Sequence, residues 1–159
     1  MTTVKKTHPR LVLKAATAED LMTPNPLSIR QDAVIKEAVA FLTDKGITAA
    51  PVIDDAGRPV GVLSRADIVV HDREKVEYVP AAADRFQKPG FQIENVDHTK
   101  VADIMTPVVF SVAPDTSANR VVEEMIKLKV HRLFVVDDDG VLIGVISAMD
   151  ILSRLELEE

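Results

Sequence analysis

The strongest constraint on this chain is that one stretch of its sequence occurs twice. The first copy opens with Asp20-Leu-Met-Thr-Pro and runs to Asp67, and the second opens with Asp103-Ile-Met-Thr-Pro and runs to Asp150. The offset is 83 residues at both ends (103 − 20 = 83 and 150 − 67 = 83), so the copies align without a gap. The identical pairs include Met22/Met105, Thr23/Thr106, Pro24/Pro107, Asp32/Asp115, Val52/Val135, Asp54/Asp137, Gly57/Gly140, Gly61/Gly144, Ser64/Ser147 and Asp67/Asp150. The chain is therefore an internal duplication.

The length of the chain indicates how the two copies are used. A chain of 159 residues has the size of one compact domain or of two half-domains that share a core. A unit of about 50 to 60 residues buries only about 60% of its unfolded surface, so one copy alone would be marginally stable. We therefore expect the copies to pack against each other.

Composition and charge exclude several classes of protein. Hydrophobic residues make up 47% of the chain and charged residues 28%, as in soluble globular proteins. The net charge of −6 argues against a general nucleic-acid binder, which needs a surplus of Lys and Arg to neutralise phosphates. The apolar runs, such as 141–146, are far shorter than the roughly 20 residues that span a bilayer. With no cysteine, the sequence predicts neither disulfides nor thiol chemistry and favours the cytoplasm.

Helix signals recur in both copies. Thr17 is predicted to cap a short helical turn, and Pro24 and Pro26 then keep the chain extended. Asp32 is predicted to cap a helix of apolar periodicity that ends near Gly46. Asp115 repeats this cap in the second copy, where Lys129 stands in place of the terminal glycine.

A hairpin and a closing helix follow in each copy. Strands are predicted at 49–53 and 59–63, and again at 133–136 and 142–146. The turns between them, Asp54-Asp-Ala-Gly57 and Asp137-Asp-Asp-Gly140, combine an aspartate that bonds its own backbone with a glycine that accepts positive φ. Helices are then expected to begin at Ser64 and Ser147. Each copy thus reads as strand, helix, strand, strand, helix.

The segments outside the repeats give weaker signals. Residues 1–17 are predicted to form an arm that adds a strand or packs on a partner. Residues 73–100 have no counterpart in the second copy; Arg73 to Tyr78 could extend the preceding helix, and prolines and a glycine break the remainder into a loop. The sequence ends in Leu-Glu-Leu-Glu-Glu at 155–159, and this acidic segment is predicted to be the exposed tail of the last helix.

These ordered motifs resemble those of a known family, the CBS domain, named after cystathionine β-synthase. The resemblance lies in Leu-Met-Thr-Pro at the front, Pro-Val-Ile-Asp-Asp on a strand, and Val-Gly-Val-Leu-Ser-Arg-Ala-Asp-Ile after the turn glycine. It implies an α+β fold of two β-α-β-β-α units related by a pseudo-twofold axis and sharing one core. It also implies an arm at 1–17, CBS domain 1 at 18–72, a linker or helix extension at 73–100, and CBS domain 2 at 101–159.

The resemblance further implies a regulatory role. Family members commonly bind adenosine-containing ligands such as AMP, ADP, ATP or S-adenosylmethionine in clefts between the two units, and they often form homodimers. Most of them regulate another protein and do not catalyse. We therefore expect the chain to regulate a partner protein, whose identity the sequence does not give. We expect no required cofactor and no bound metal, and no contact with nucleic acid or membrane.

The residues themselves suggest how such a ligand would be held. Ser64 and Ser147 stand where a strand becomes a helix, so backbone N–H groups and the positive end of the helix dipole would attract phosphate. Asp67 and Asp150, three residues later, have two carboxylate oxygens that could accept from both hydroxyls of a ribose. The alternative is that each Ser-x-x-Asp only caps its helix.

The family also implies that strand backbone groups read the base edge. Arg65 has no counterpart in the second copy, where Ala148 stands, whereas His131-Arg132 replaces the neutral Thr48-Ala49 and resembles a phosphate-contacting pair of some family members. These cations could equally be surface groups. The complete set of candidate ligand-binding residues is Thr48, Ala50, Pro51, Ser64, Arg65, Asp67, His131, Arg132, Leu133, Ser147 and Asp150.

Three other functions remain open at the level of sequence. The chain could be an interaction module that dimerises and docks on a partner with no nucleotide bound. The acidic balance alone suggests a Mg²⁺ or other cation sensor, but His8, His71, His98 and His131 lack metal-site spacing. An enzyme is disfavoured because no nucleophile motif is present.

The methionines at 22, 105, 125 and 149 are predicted to fill the core.

Overall fold

The computed structural model describes residues 8–77 and 97–158. The elements in chain order are β1 (Arg10–Leu13), α1 (Ala18–Leu21), β2 (Thr23–Pro24), β3 (Ile29–Arg30), α2 (Ile35–Lys45), β4 (Ala49–Ile53), β5 (Pro59–Ser64), α3 (Arg65–Glu77), α4 (Val101–Ile104), β6 (Ser111–Val112), α5 (Ala118–Leu128), β7 (Arg132–Val136), β8 (Leu142–Ser147), α6 (Ala148–Leu152) and β9 (Leu155–Glu158). The predicted α+β class and the repeated strand, helix, strand, strand, helix order are confirmed. None of the helices in the described ranges is long and apolar enough to cross a membrane.

The chain divides into two compact units that do not coincide with the two repeats. Unit 1 combines residues 1–26 with 110–159, and unit 2 comprises residues 27–109. The front segment of the first repeat therefore belongs with the hairpin of the second, and the front segment of the second repeat with the hairpin of the first.

Unit 2 is built on a three-stranded sheet with the order β3-β4-β5. Strands β3 and β4 are parallel, whereas β4 and β5 form the antiparallel hairpin. Its core consists of apolar residues from the sheet, α2, α3 and the start of α4: Ile29, Ile35, Ala38, Leu42, Ala50, Val52, Leu63, Ile68 and Val101. The residue from α4 lies in the core although it belongs to the second repeat.

Unit 1 contains a four-stranded sheet with the order β2-β8-β7-β6, and a separate antiparallel ribbon formed by β1 and β9. Its core is made of Ala18, Leu21, Ala118, Val121, Met125, Leu133, Val135 and Ile146. The two cores use the same alignment positions but different volumes, since Leu133 and Val121 replace Ala50 and Ala38.

Two predicted helix caps are wrong. Helix α2 begins after Val34 instead of Asp32, and α5 begins after Ser117 instead of Asp115. In unit 2 the N–H of Ile35 donates to the carbonyl of Thr99 at 3.0 Å, so that strand-like pairing with a distant segment replaces a side-chain cap. Asp32 instead accepts from the guanidinium of Arg30.

The predicted helical tail is also wrong. Helix α6 ends at Leu152, and β9 then pairs with β1 in a register that places Leu157 opposite Leu11 and Glu158 opposite Arg10. Leucine and glutamate alternate in this segment with the two-residue period of a strand. Strand β1 supplies the neighbouring strand with which β9 forms hydrogen bonds. The N-terminal arm thus contributes the strand that was one of its two predicted roles, and its residues 1–7 lie outside the described part.

The hairpin turns form as predicted. The carboxylate Oδ1 of Asp54 accepts from the N–H groups of Ala56 and Arg58 at 2.9 Å each, and Gly57 has a φ of 81°. Asp137 makes the equivalent bonds in the other repeat, where Gly140 has a φ of 80°. The bond from the Arg58 N–H is the main cause that holds the pKa of Asp54 below its ordinary value.

Helices α2 and α5 both end in a residue of left-handed conformation, but only α2 has a glycine there. Gly46 ends α2 with a φ of 64°, and Lys129 ends α5 in the same left-handed conformation with a φ of 54°. A side chain with a Cβ pays for this conformation, whereas glycine adopts it freely.

We therefore expect Lys129→Gly to raise the free energy of unfolding by about 0.5–1 kcal/mol, since the relief of left-handed strain exceeds the extra entropy of an unfolded glycine. Urea denaturation followed by circular dichroism measures the change. The matched substitution Gly46→Lys introduces the same strain into α2 and should destabilise. Equal stability of both variants and the unaltered protein would show that the αL termini carry no strain.

Candidate ligand site

In each unit, a Met-Thr-Pro segment pairs with the second strand of the hairpin, which is β8 in unit 1 and β5 in unit 2. In unit 1, Thr23 pairs with Val145 and Pro24 with Gly144. In unit 2, Thr106 pairs with Val62 through two backbone hydrogen bonds of 2.9 Å. Each unit therefore brings a Met-Thr-Pro segment next to the strand that leads to its Ser-x-x-Asp sequence.

Two glycines permit this close approach. A Cβ on Gly144 would lie 2.4 Å from Met22 Sδ, and a Cβ on Gly61 would lie 2.6 Å from the carbonyl oxygen of Thr106. Met22 and Met105 are half-buried against the cores, as predicted for core-filling methionines. The prediction is wrong for Met149, which is 70% exposed.

The serine and the aspartate of each repeat cap the helix that they begin. In unit 2, Asp67 Oδ2 accepts from the N–H of Ser64 at 2.9 Å and from its hydroxyl at 3.0 Å. In unit 1, Asp150 Oδ2 accepts from the N–H of Ser147 at 2.7 Å and from its hydroxyl at 3.0 Å. The N–H of each aspartate donates back to the serine hydroxyl. This reciprocal arrangement is a capping box.

The capping box changes what the aspartates can offer to a ligand. A carboxylate oxygen has two acceptor sites, and both sites of each Oδ2 are filled by the serine. Only Oδ1 therefore remains for outside donors, whereas the sequence suggested that both oxygens are available. Both aspartates are half-buried, and the bonds from the serine fix the position of each carboxylate.

The helix starts also have fewer unpaired N–H groups than the sequence suggested. The N–H of Arg65 donates to the carbonyl of Thr48 at 2.9 Å, and the N–H of Ala148 donates to the carbonyl of His131 at 3.0 Å. With the aspartate N–H groups also bonded, two of the first three N–H groups of each helix already have acceptors. Helix α6 has five residues against thirteen in α3, so its dipole is short.

The candidate cations lie beside the capping boxes. Arg132 is the direct partner of Ser147 in the β7–β8 ladder, whereas Ala49 is the partner of Ser64 in the β4–β5 ladder. Directly opposed residues of antiparallel strands share one face of the sheet. Arg132 and the preceding histidine are exposed, and so is Arg65, which follows Ser64 directly.

Three of the remaining candidates, Ala50, Pro51 and Leu133, have no polar side-chain group and could offer a ligand only their backbone. The side chains of Ala50 and Leu133 are only 1% exposed and belong to the cores. Pro51 has no N–H, so it could offer a carbonyl alone. In the described ranges, β3 pairs with β4 only at Val52 and Ile53, which leaves the beginning of β4 without a strand on that side. This backbone edge is the kind that a base could bond.

One side chain that contacts a candidate aspartate is not among the residues predicted from the sequence. The hydroxyl of Thr106 donates to Asp67 Oδ1 at 3.4 Å, so the Met-Thr-Pro segment reaches the carboxylate directly. The signal was present in the sequence, because Thr23 and Thr106 are an identical pair of the repeat. The sequence did not show that the second threonine would lie beside the first aspartate.

A metal centre finds no support in the described residues, which contain no group of three or more His, Cys, Asp or Glu side chains placed to hold an ion. His71 is instead bonded through Nε2 to Asp97 Oδ2 at 3.0 Å. Both side chains of this pair are largely shielded from solvent.

Comparison with known proteins agrees with this architecture. The model of the CBS domain matches residues 18–74 and 101–157. An uncharacterized protein of Methanocaldococcus jannaschii is 30% identical over 151 residues, which cover 86% of this chain and 89% of that protein. The magnesium transporter MgtE of Thermus thermophilus is 31% identical over 146 residues, which cover 89% of this chain but 27% of the transporter.

Solved structures show the same similarity. The structure of CBSX2 in complex with AMP has a TM-score of 0.65 and 28% identity, covering 87% of this chain and 95% of that one. The cytosolic domain of the Mg²⁺ channel MgtE in complex with ATP has a TM-score of 0.64 and 28% identity, covering 89% and 49%. The family resemblance read from the motifs is thereby confirmed. The chain belongs to the CBS domain family and carries two of these domains in tandem.

Proposed function

We propose that this CBS pair is a regulatory module that binds an adenosine-containing ligand at the capping boxes of its two repeats. The observation that carries the proposal is the second carboxylate oxygen of Asp150, Oδ1, which the helix cap does not use. The other oxygen, Oδ2, is fixed by two bonds from Ser147, while Oδ1 has no hydrogen-bond partner among the described residues. A half-buried, immobile and unpartnered acceptor is suited to a ribose hydroxyl.

The surroundings of Asp150 suit the rest of a nucleotide. Arg132 stands across the ladder from Ser147 and can reach a phosphate with a bidentate guanidinium. The backbone at the start of β7 offers donors and acceptors for the edge of a base. An acceptor for the sugar, a cation for the phosphate and a polar edge for the base together describe a ribonucleotide.

The relatives support this ligand class. Their structures were solved with AMP in one case and with ATP in another. Both ligands contain the adenosine group that the proposed site would hold. The adenosine group is common to AMP, ADP, ATP and S-adenosylmethionine.

Calorimetric titration with these four ligands tests the proposal, with 2′-deoxy-AMP as the matched control. At least one ligand is expected to bind with micromolar affinity. If AMP binds, removal of one ribose hydroxyl should weaken it by about tenfold or more, the factor expected for a hydrogen bond to a charged acceptor. The matched 3′-deoxy-AMP is titrated as well, because either ribose hydroxyl could donate to the aspartate. Equal affinity for AMP and for both deoxy analogues would contradict a sugar contact at the aspartates.

We further propose that the module is a cytoplasmic homodimer that acts on another protein and catalyses no reaction. Apolar side chains on the helices of unit 1 support an association surface: Ile126 is 72% exposed, Met149 70% and Leu152 56%. Such residues are often buried by a partner.

The same residues favour a second candidate function, an interaction module without nucleotide. It would form a dimer whose thermal stability is unaffected by every nucleotide. True binding at a hundred times the dissociation constant should instead stabilise the fold by about 2.7 kcal/mol.

A further inference from the structure

We propose that the two aspartate sites are not equivalent, and that Thr106 is the specificity-determining residue that weakens the Asp67 site because its hydroxyl fills one acceptor site there. This inference rests on the proposed function and concerns which repeat binds the ribose first. It predicts one strong site at Asp150 and one weak site at Asp67.

The difference lies in the Oδ1 oxygens. The hydroxyl of Thr106 donates to Asp67 Oδ1, whereas among the described residues no group donates to Asp150 Oδ1, although Thr23 is the counterpart of Thr106. At 3.4 Å the bond is longer than the roughly 2.5–3.0 Å usual between oxygens, and it is therefore weak. It fills one of the two acceptor sites of this oxygen, so a ligand hydroxyl at Asp67 has to share the oxygen with Thr106 or displace it, whereas within the described residues both acceptor sites of Asp150 Oδ1 are open to a ligand.

Thr106 cannot withdraw by moving its backbone. Its N–H and its carbonyl are both bonded to Val62 at 2.9 Å. The chain before it is held as well, because Thr99 accepts from Ile35 and Asp97 is bonded to His71, one helical turn beyond Asp67 on α3. A ligand that takes the acceptor site used by Thr106 therefore has to rotate the threonine side chain.

The charges on the strands also favour binding of a phosphorylated ligand at Asp150 over Asp67. Ser147 faces Arg132 across its ladder, whereas Ser64 faces the uncharged Ala49. The cation of the Asp67 site is Arg65, which lies on the helix. A phosphorylated ligand thus meets a free acceptor and a cation on the opposite strand only at Asp150.

The test isolates the Asp67 site with Asp150→Asn and measures AMP binding by calorimetry with and without Thr106→Ala. Thr106→Ala is expected to tighten residual binding by about three- to tenfold, the equivalent of one hydrogen bond. Adding Asp67→Asn to this double variant should abolish the gain. Thermal denaturation of every variant shows that each is folded.

The outcomes separate the two proposals. Two equal sites in the unaltered protein, or residual AMP binding that changes less than twofold with Thr106→Ala, would overturn the inference while leaving the proposed function intact. If neither the unaltered protein nor any folded variant binds AMP or another adenosine ligand, the proposed function fails, and the inference fails with it.

Discussion

Gly61→Ala is expected to lower the free energy of unfolding by about 2–4 kcal/mol. A Cβ at this position would lie 2.6 Å from the carbonyl oxygen of Thr106 and 2.8 Å from Met105 Sδ. That carbonyl accepts from the N–H of Val62, so it can retreat only by lengthening or breaking the bond that attaches the Met-Thr-Pro segment to the hairpin. The estimate combines the cost of overpacking with that of one lost hydrogen bond. Urea denaturation measures it.

Gly144→Ala is the matched control. There the added Cβ would meet Sδ, Cγ and Cβ of Met22 and no backbone atom within the three nearest contacts. A change of rotamer moves Sδ and Cγ of Met22 away, and only its Cβ at 3.0 Å then has to shift by a few tenths of an ångström, so the cost should be smaller, about 1–2 kcal/mol. If Gly144→Ala destabilises as much as Gly61→Ala, the backbone contact is not what distinguishes the two sites.

Asp150→Asn is expected to weaken AMP binding by about tenfold to a hundredfold, which corresponds to about 1.5–3 kcal/mol for a hydrogen bond to a charged group. The amide oxygen can still accept from Ser147 and preserve the helix cap, so the Oδ1 position loses its charge while the fold is retained. Calorimetric titration gives the affinity, and thermal denaturation shows whether the cap survives.

Asp67→Asn is the control for this substitution, because it makes the same change where Thr106 already donates to Oδ1. Its effect on the strongest AMP site should be less than about threefold. If both variants lose affinity equally, the aspartates act as equivalent ligands and the preference for Asp150 is wrong.

The sequence predicted the elements of each repeat well because their signals are local. An aspartate before a turn glycine specifies the hairpins, and the predicted strand at 49–53 has the observed bounds. The special role of position 129 was also visible, since lysine stands where the first repeat has a helix-ending glycine. Signals of this kind depend on backbone geometry within a few residues.

The division into units could not be predicted because the duplication itself makes it ambiguous. Two nearly identical Met-Thr-Pro segments can pair with two nearly identical hairpins, and the local pattern is the same for either choice. Only the contacts of the assembled chain show that Thr23 lies against Val145 and Thr106 against Val62. The caps at Val34 and Ser117 and the strand β9 were missed for a related reason, since partners distant in sequence determine them.

The candidate site shows the same limit. The sequence identifies both Ser-x-x-Asp motifs. It indicates a helix cap and a ligand site as alternative roles for each of them. The structure shows that the cap uses only one oxygen of each carboxylate, so the two roles are compatible. Whether the other oxygen of Asp67 has a partner depends on Thr106, and the separation of these two residues in the sequence hides the contact.

The most direct test of the central claim is a crystal structure of the protein with bound AMP. We expect a ribose hydroxyl within about 2.6–3.0 Å of Asp150 Oδ1, the range of a charge-assisted hydrogen bond, with the bonds from Ser147 to Oδ2 intact. An AMP molecule whose sugar contacts neither aspartate, or one seated at Asp67 while Asp150 is unoccupied, would contradict it.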